Sequence, residues 1–125
     1  MIYTYTCMRP TPAGRVSSKE QNFIIKEYCL QKSINFSLPF PEYVYPNCFV
    51  QFFNIIKIME NNSTLIAYSI YQFYDYPYDI NQLWVFLGEK KSIIHFANEN
   101  LCFYFPDGIA QINLLFKEKK VIMNK

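Results

Sequence analysis

The chain has 125 residues, enough for one domain with one hydrophobic core, so residues 1–125 are expected to form a single α/β unit. With 51% hydrophobic and 19% aromatic residues but only 3 Gly, the composition excludes a disordered, collagen-like or linker-rich chain. The formal net charge of +2 is too small to indicate a nucleic-acid partner. Because 11 Tyr and 12 Phe rings are hard to bury in so small a monomer, a homo-oligomer is favoured.

Apolar periodicity divides the chain into alternating strands and helices. Runs of β-branched and aromatic residues predict strands, and apolar residues at 3-and-4 spacing predict helices. In chain order the predicted elements are strand 2–8, helix 17–32, strand 34–38, helix 47–60, strand 64–71, helix 79–87, strand 92–97, a short strand 101–105, a helix from 107 that frays at 117–120, and a tail strand 121–123.

Side chains that cap helix ends set these boundaries. The first helix begins with a capping box, either Ser17 with Glu20 or Ser18 with Gln21, in which each side chain accepts a hydrogen bond from the other residue's free N–H. The other predicted end signals are N-caps at Asn47, Asp79 and Asp107 and a helix stop at Gly88.

Strands that alternate with helices require crossover connections, and these produce a mostly parallel sheet. The expected fold is therefore an α/β domain of three layers, with helices on both faces of a sheet of four or five strands. Its expected strand order is 2-1-3-4 with the fifth strand at the edge, as in flavodoxin-like or resolvase-like domains.

Free thiols and the N-terminal residues indicate a cytoplasmic setting. Four cysteines occur singly without C-x-x-C spacing, so no zinc site, redox pair or cofactor is expected. Unpaired thiols suit the cytoplasm. The first residues lack the basic start and apolar stretch of a signal peptide, and no run of about 18 apolar residues predicts a membrane span.

Polar residues follow several of the predicted strands. In such sheets ligands bind beyond the carboxyl ends of the strands, where the loops meet. The loop after the first strand carries Arg9 and Arg15 beside a helix N-terminus, whose free N–H groups and dipole favour a phosphate or carboxylate. The predicted substrate-binding residues are Arg9, Arg15, Ser18, Ser69, Gln72 and Asn100.

His95 and Glu99 are the predicted catalytic residues, because an imidazole and a carboxylate at the end of one strand can transfer protons. Two alternatives stay open: His95 as a hydrogen-bonded core residue of an apolar strand, and Glu99 as a solvated loop carboxylate. The aromatic residues at 71–78 suit either stacking on a sugar or closing a dimer interface. No residues have metal-ligand spacing, so no metal site is expected.

The segment Arg15-Val16-Ser17 resembles the R-V-S motif that carries the nucleophile of serine recombinases, whose catalytic domains share the expected order of elements. Those enzymes bind the scissile phosphate with several arginines, including one after the third strand. The corresponding segment, Ser69-Ile70-Tyr71-Gln72-Phe73, has none, and no arginine follows Arg15. Without these cations the charge of the transition state is unsupported, which argues against DNA cleavage.

Over nearly the whole chain the sequence resembles the sporadic carbohydrate cluster proteins, small bacterial proteins encoded among lipopolysaccharide and capsule genes. The most distinctive matching segments are Tyr68-Ser69-Ile70-Tyr71-Gln72-Phe73 and His95-Phe96-Ala97-Asn98-Glu99-Asn100, and the positions of Arg9 and Arg15 also match. The resemblance implies a role in surface-polysaccharide biosynthesis and implies no particular reaction.

Two functions are open in that setting. One is an enzyme acting on a nucleotide-linked or phosphorylated sugar, with Arg9 and Arg15 holding the anion and His95 or Glu99 transferring a proton. The other is a non-catalytic binding or assembly module on a resolvase-like scaffold, which the aromatic excess favours. The expected ligand is an anionic sugar or sugar nucleotide.

Overall fold

The computed structural model of the chain describes residues 1–12 and 14–123, and it describes side chains through residue 118. The strands are β1 (Ile2–Thr6), β2 (Pro39–Pro41), β3 (Thr64–Ala67), β4 (Ile93–Phe96) and β5 (Leu101–Tyr104). The helices are α1 (Ser18–Lys32), α2 (Val50–Ile58), α3 (Ile80–Glu89) and α4 (Ile109–Met123), with a 3-10 helix at Ile70–Phe73. The expected α/β class is confirmed.

The strands form one sheet of five, in the order β2-β1-β3-β4-β5. Strands β1 to β4 are parallel to one another, which confirms a mostly parallel sheet. The sheet departs from a flavodoxin-like arrangement at β5, which runs antiparallel to β4. The connection from β4 is a tight turn that ends at Asn100, with a φ of 55°. So short a connection can only return the chain antiparallel beside β4.

Helices cover both faces of the sheet because successive side chains along a strand point in opposite directions. Tyr3 and Tyr5 pack with residues of α2, α3 and α4 in the larger part of the core. On the other face, α1 buries Ile25 and Tyr28 against Ile66 of β3. Since α1 is the one described helix on this face, the β4–β5 end of the sheet stays partly open there. In the described part of the chain, no helix has both the length and the apolar character needed to cross a bilayer.

The ends of α1 and the start of α3 agree with the predictions from sequence. Ser17 is the N-cap of α1, and its hydroxyl accepts a hydrogen bond from the Glu20 N–H at 3.1 Å. The alternative box with Ser18 is wrong, because the Gln21 side chain is buried and bonded elsewhere. Asp79 caps α3 by accepting from the N–H of Asn81 at 3.0 Å.

The segment between α1 and α2 differs from the prediction. The second strand lies at Pro39–Pro41 and not at residues 34–38. Because proline lacks an N–H, a strand that contains it is suited to the edge position that β2 occupies. Asn47, the predicted N-cap of α2, instead has a φ of 57° and donates from Nδ2 to the carbonyl of Asp75 at 2.8 Å. The N-cap position of α2 is held by Phe49, which provides no capping side chain.

Four further predictions in the second half of the chain are wrong. Residues 68–71 leave the sheet, since the chain turns into the 3-10 helix directly after Ser69. Gly88 does not end α3 but lies inside it, where a Cβ would come within 3.1 Å of the Pro106 Cβ. Small size at Gly88 therefore permits this close packing. Residues 121–123 belong to α4 rather than to a tail strand, and α4 begins after Gly108 rather than Asp107.

Candidate functional site

Six of the eight predicted site residues are found in two separate places, and Arg15 and Ser18 lie outside both. The first is the strand-end cluster, beyond the C-terminal ends of β1 and β3. It consists of Arg9, Gln21, Ser69, Gln72, Asp75 and Glu99. The second is the His95 groove, a cavity of about 600 Å³ between the C-terminal part of α1 and the β4–β5 end of the sheet. Its polar lining includes Tyr28, Lys32, Asn35, His95, Asn100 and Cys102.

Arg9 is buried in the strand-end cluster, with 1% of its surface exposed. Its Nε donates to one carboxylate oxygen of Asp75 at 2.7 Å and its Nη2 to the other at 3.1 Å. Nη2 also donates to the Gln72 carbonyl at 2.8 Å, and Nη1 donates to the Tyr5 hydroxyl at 3.0 Å. The guanidinium carbon lies 4.0 Å from the centre of the Phe49 ring. Binding an external anion through Arg9 would require opening this arrangement.

Gln21 and Gln72 extend the hydrogen bonding of β1 beyond the end of the strand. The Gln21 side chain accepts from the Cys7 N–H at 3.0 Å and donates to the Cys7 carbonyl at 2.6 Å, as a neighbouring strand would. Gln72 donates from Nε2 to the same carbonyl and to the Gln21 Oε1, each at 3.3 Å. Both glutamines are almost fully buried. Gln72 therefore lies inside the protein, where a substrate does not reach it in this conformation.

Ser69 and Glu99 tie the loop after β3 to the turn after β4. The Ser69 hydroxyl donates to Glu99 Oε2 at 2.8 Å and accepts from the Tyr71 N–H at 3.1 Å. The N–H of Ile70 donates to Glu99 Oε1 at 2.7 Å, and Asn98 donates to Oε2 at 3.0 Å. The carboxylate thus accepts from free N–H groups at the start of the 3-10 helix, as an N-cap does. The Glu99 carboxylate is therefore bonded within its own chain, and its catalytic role stays a prediction.

Glu42 is a buried carboxylate that sequence reasoning missed. Its two oxygens accept from the N–H groups of Gln51 and Phe52 in the first turn of α2, at 2.9 and 3.2 Å. The Tyr5 hydroxyl donates to the same carboxylate at 2.9 Å and accepts from Arg9. A negative charge at a helix N-terminus is stabilised by the dipole. Glu42 therefore replaces the predicted Asn47 cap and connects α2 to Arg9.

The strand-end cluster is closed by bonds among its own members, and the predicted anion site does not form there. Arg9 is turned toward Asp75, while Arg15 and Ser18 are exposed at the surface of the molecule. The structure therefore does not bring the two arginines together at the N-terminus of α1. It assigns Arg9, Ser69, Gln72 and Glu99 to the joining of loops.

His95 lies on the opposite side of its strand from the larger core and opens into the groove. Its Nδ1 is 2.6 Å from the Tyr28 hydroxyl, and the two rings pack edge to face with centres 5.4 Å apart. Its Nε2 is 3.9 Å from the Sγ of Cys102, the residue that β5 places directly opposite His95. Asn100 lines the same groove, whereas Glu99 is bonded to Ser69 outside it. His95 and Glu99 therefore do not share a cavity.

The side chains of Tyr28, His95 and Cys102 are uncharged at neutral pH. Burial lowers the pKa of His95, and the positive charge of Lys32 lowers it further. Burial raises the pKa of Tyr28 to about 12. Burial also raises the pKa of Cys102, while a hydrogen bond from Tyr104 and the charge of Lys32 act in the opposite direction. A neutral imidazole beside a neutral thiol can accept its proton.

Tyr28, Lys32 and Cys102 are groove residues that the sequence interpretation did not select. Tyr28 and Lys32 are four positions apart on α1, a spacing that places them on one face of the helix. Cys102 is seven positions after His95, on the return strand of a tight turn. The seven-residue spacing of His95 and Cys102 became a usable signal only once β5 was known to run antiparallel to β4.

Within the described residues, no three His, Cys, Asp or Glu side chains are grouped so as to hold a metal ion. No protein-family model, curated protein or solved structure matches the chain.

Proposed function

We propose that this protein acts in bacterial surface-polysaccharide (lipopolysaccharide or capsule) biosynthesis and that it binds an anionic sugar in the His95 groove. The ligand class is a phosphorylated or nucleotide-linked sugar. The setting comes from the sequence segments around Ser69 and His95 that resemble the sporadic carbohydrate cluster proteins. The observation that carries the location is that His95 and Asn100, both predicted site residues of these segments, line one open cavity with further polar side chains.

The chemistry of the groove suits a sugar with one acidic group. Asn35 and Asn100 offer amide donors and acceptors that match sugar hydroxyl groups. Tyr104 lines the same groove and is 62% exposed, so its ring can provide an apolar face for a pyranose ring. Lys32 is the cation of the groove and can pair with a phosphate. A cavity of about 600 Å³ is within the usual range of small-molecule sites.

One observation supports the enzyme, and another supports the binding module, which is the second candidate. The neutral His95, with Nε2 on the groove side, supports proton transfer to or from a bound sugar. The closed strand-end cluster supports a module on a resolvase-like scaffold, because the edge at which resolvase-type chemistry would occur is filled by its own side chains. A turnover assay with glucose 1-phosphate and UDP-glucose separates these two candidates.

The binding test is a titration of the folded protein with glucose 1-phosphate and UDP-glucose, followed by amide NMR shifts. The proposal expects saturable shifts around His95, Asn100 and Tyr104. Lys32→Ala should weaken binding of the phosphorylated ligand about fivefold, corresponding to the loss of one charge-assisted contact of ~1 kcal/mol. Lys26→Ala is the matched control on the same helix, since Lys26 lies over Phe36 and not in the groove. Shifts confined to other surfaces, or equal effects of the two variants, would overturn the assignment.

A further inference from the structure

In the His95 groove, His95 lies between a thiol, that of Cys102, and a hydroxyl group, that of Tyr28. Cys102 is the exposed cysteine among the chain's four, and its Sγ lies 3.9 Å from His95 Nε2. The other ring nitrogen lies 2.6 Å from the Tyr28 hydroxyl. Parallel pairing of β3 with β4 and antiparallel pairing of β4 with β5 hold the two backbones at this spacing. Catalytic thiols are recognised by this order of groups, with contacts that are often longer before substrate binds.

We propose that Cys102 is a nucleophile activated by His95, and that it accepts an acyl group from a thioester or activated ester. This goes beyond ligand binding, because it assigns a covalent step to a residue outside the sugar-binding set. Tyr28 is a positioning residue in this proposal. When His95 Nδ1–H donates to the Tyr28 hydroxyl, Nε2 carries the lone pair and faces the thiol.

Each step of the proposed reaction balances without a redox partner. The Cys102 sulfur attacks the acyl carbon and forms a C–S bond, while the thiol proton moves to His95 Nε2. The bond from the acyl carbon to the leaving thiolate or alkoxide then breaks, and His95 returns the proton to the leaving group. Water, or a hydroxyl group of a bound sugar, attacks the acyl-Cys102 in the second half. Its proton passes through His95 back to the Cys102 sulfur.

The charges around the groove agree with a base-assisted thiol rather than a preformed ion pair. Both Cys102 and His95 are uncharged at neutral pH, so the proton must move as the C–S bond forms. The Lys32 ammonium favours the negative charge that develops on sulfur and on the carbonyl oxygen. Asn100, in the same lining, offers an amide donor for that oxygen. These groups suit a carbonyl electrophile, whose charge increases at oxygen during attack.

The chain provides its own control thiol. Cys48 is partly exposed, and its Sγ donates to the Glu42 carboxylate at 3.5 Å, with no histidine beside it. Cys7 and Cys29 are buried. The full-length protein would be treated briefly with S-phenyl thioacetate at about pH 7.5, and acetyl groups would be located by peptide mass spectrometry. The proposal expects acetylation of Cys102 at least about tenfold faster than that of Cys48, and expects Cys48→Ala to leave the Cys102 rate unchanged.

Variants of the base and of the positioning residue complete the test. His95→Gln should slow Cys102 acetylation about a hundredfold, the lower end of what general-base assistance contributes. Tyr28→Phe should slow it less and change its pH–rate profile. The titratable and charged groups around His95 are Tyr28 and Lys32 of α1 and Cys102 and Tyr104 of β5. If Tyr28 had only a structural role, Tyr28→Phe would leave the pH–rate profile of Cys102 acetylation unchanged.

Equal acetylation of Cys102 and Cys48 would overturn the proposal, as would an unchanged Cys102 rate in His95→Gln with a native circular dichroism spectrum. This outcome is distinct from failure of the proposed function, because the sugar titration and the acetylation are both measured on the parent protein. Saturable sugar shifts together with equal acetylation of Cys102 and Cys48 would leave ligand binding standing and remove the covalent step. Acetylation without sugar shifts would do the reverse.

Discussion

Replacing Arg9 with Met would remove the charge that joins the loop after β1 to the segment after the 3-10 helix. The Asp75 carboxylate would lose the two hydrogen bonds that Arg9 donates to it, and the Gln72 carbonyl would lose the one that it accepts from Arg9. Burial by itself lowers the pKa of Arg9, and its bonds to Asp75 and Tyr5 outweigh that effect and raise it, so the side chain is charged. Met keeps an apolar contact with Phe49 and isolates the loss of charge and hydrogen bonds.

The expected loss of unfolding free energy in Arg9→Met follows from the burial of the Arg9–Asp75 ion pair. Removing one member of a buried ion pair costs ~3–5 kcal/mol because the other charge is left without a partner. The Arg9 side chain is fully buried, while the Asp75 side chain is 12% accessible to solvent. Water can therefore relieve part of the penalty, and ~3 kcal/mol is expected. Against a total stability of ~5–15 kcal/mol, this is a large fraction.

Urea unfolding followed by circular dichroism measures this loss. With a slope of about 1.5 kcal/mol/M, a loss of ~3 kcal/mol lowers the midpoint by about 2 M. Arg15→Met is the matched control, since Arg15 is the chain's other arginine and is exposed, and it should change stability by less than ~0.5 kcal/mol. If Arg9→Met fails to fold, Arg9→Lys keeps the charge and should show a smaller loss. A loss below ~1 kcal/mol in Arg9→Met would refute a structural role for the pair.

Two further predictions concern Glu99 and His95. Glu99→Ala should lower the free energy of unfolding by ~2–3 kcal/mol, because the carboxylate accepts hydrogen bonds from Ser69 and from a free N–H of the 3-10 helix. The control Glu89→Ala, on the surface of α3, should lower it by less than ~0.5 kcal/mol. Equal urea midpoints for the two variants would show that the Glu99 bonds contribute nothing. Because the folded protein holds the pKa of His95 below its ordinary value, the unfolded chain takes up this proton first as the pH falls. The free energy of unfolding should therefore decrease as the pH falls below about 6.5. Urea midpoints measured at about pH 5 and about pH 7.5 should differ less in His95→Gln than in the parent protein. An equal difference in the two proteins would contradict the assignment.

The predictions that succeeded depend on signals within a few residues of one another. The Ser17 cap and the Asp79 cap each involve an N–H two or three positions away, so the local sequence is sufficient. Apolar spacing likewise predicted the alternation of helices with strands. The Asn47 cap failed because a carboxylate from another loop, Glu42, occupies the same N–H groups more effectively.

The site predictions were less complete because a side chain's function depends on its distant neighbours. Four of the residues selected by their position at a strand end, Arg9, Ser69, Gln72 and Glu99, lie in the strand-end cluster. It could not show that Asp75 neutralises Arg9, or that Ser69 and Ile70 occupy the Glu99 carboxylate. Those contacts join residues 30 or more positions apart in several cases, and no local pattern specifies them.

The sequence by itself determined an α/β domain of alternating elements, its mostly parallel sheet, both ends of α1 and the start of α3, because periodicity and capping act over short distances. Only the tertiary structure decided which polar groups are bonded within the protein and which remain open to a ligand. The antiparallel return of β5 places Cys102 opposite His95, and α1, the one helix of the described residues on that face, leaves this end of the sheet partly uncovered. Both facts depend on how distant segments pack, since burial and pairing arise from the whole chain and not from neighbouring residues.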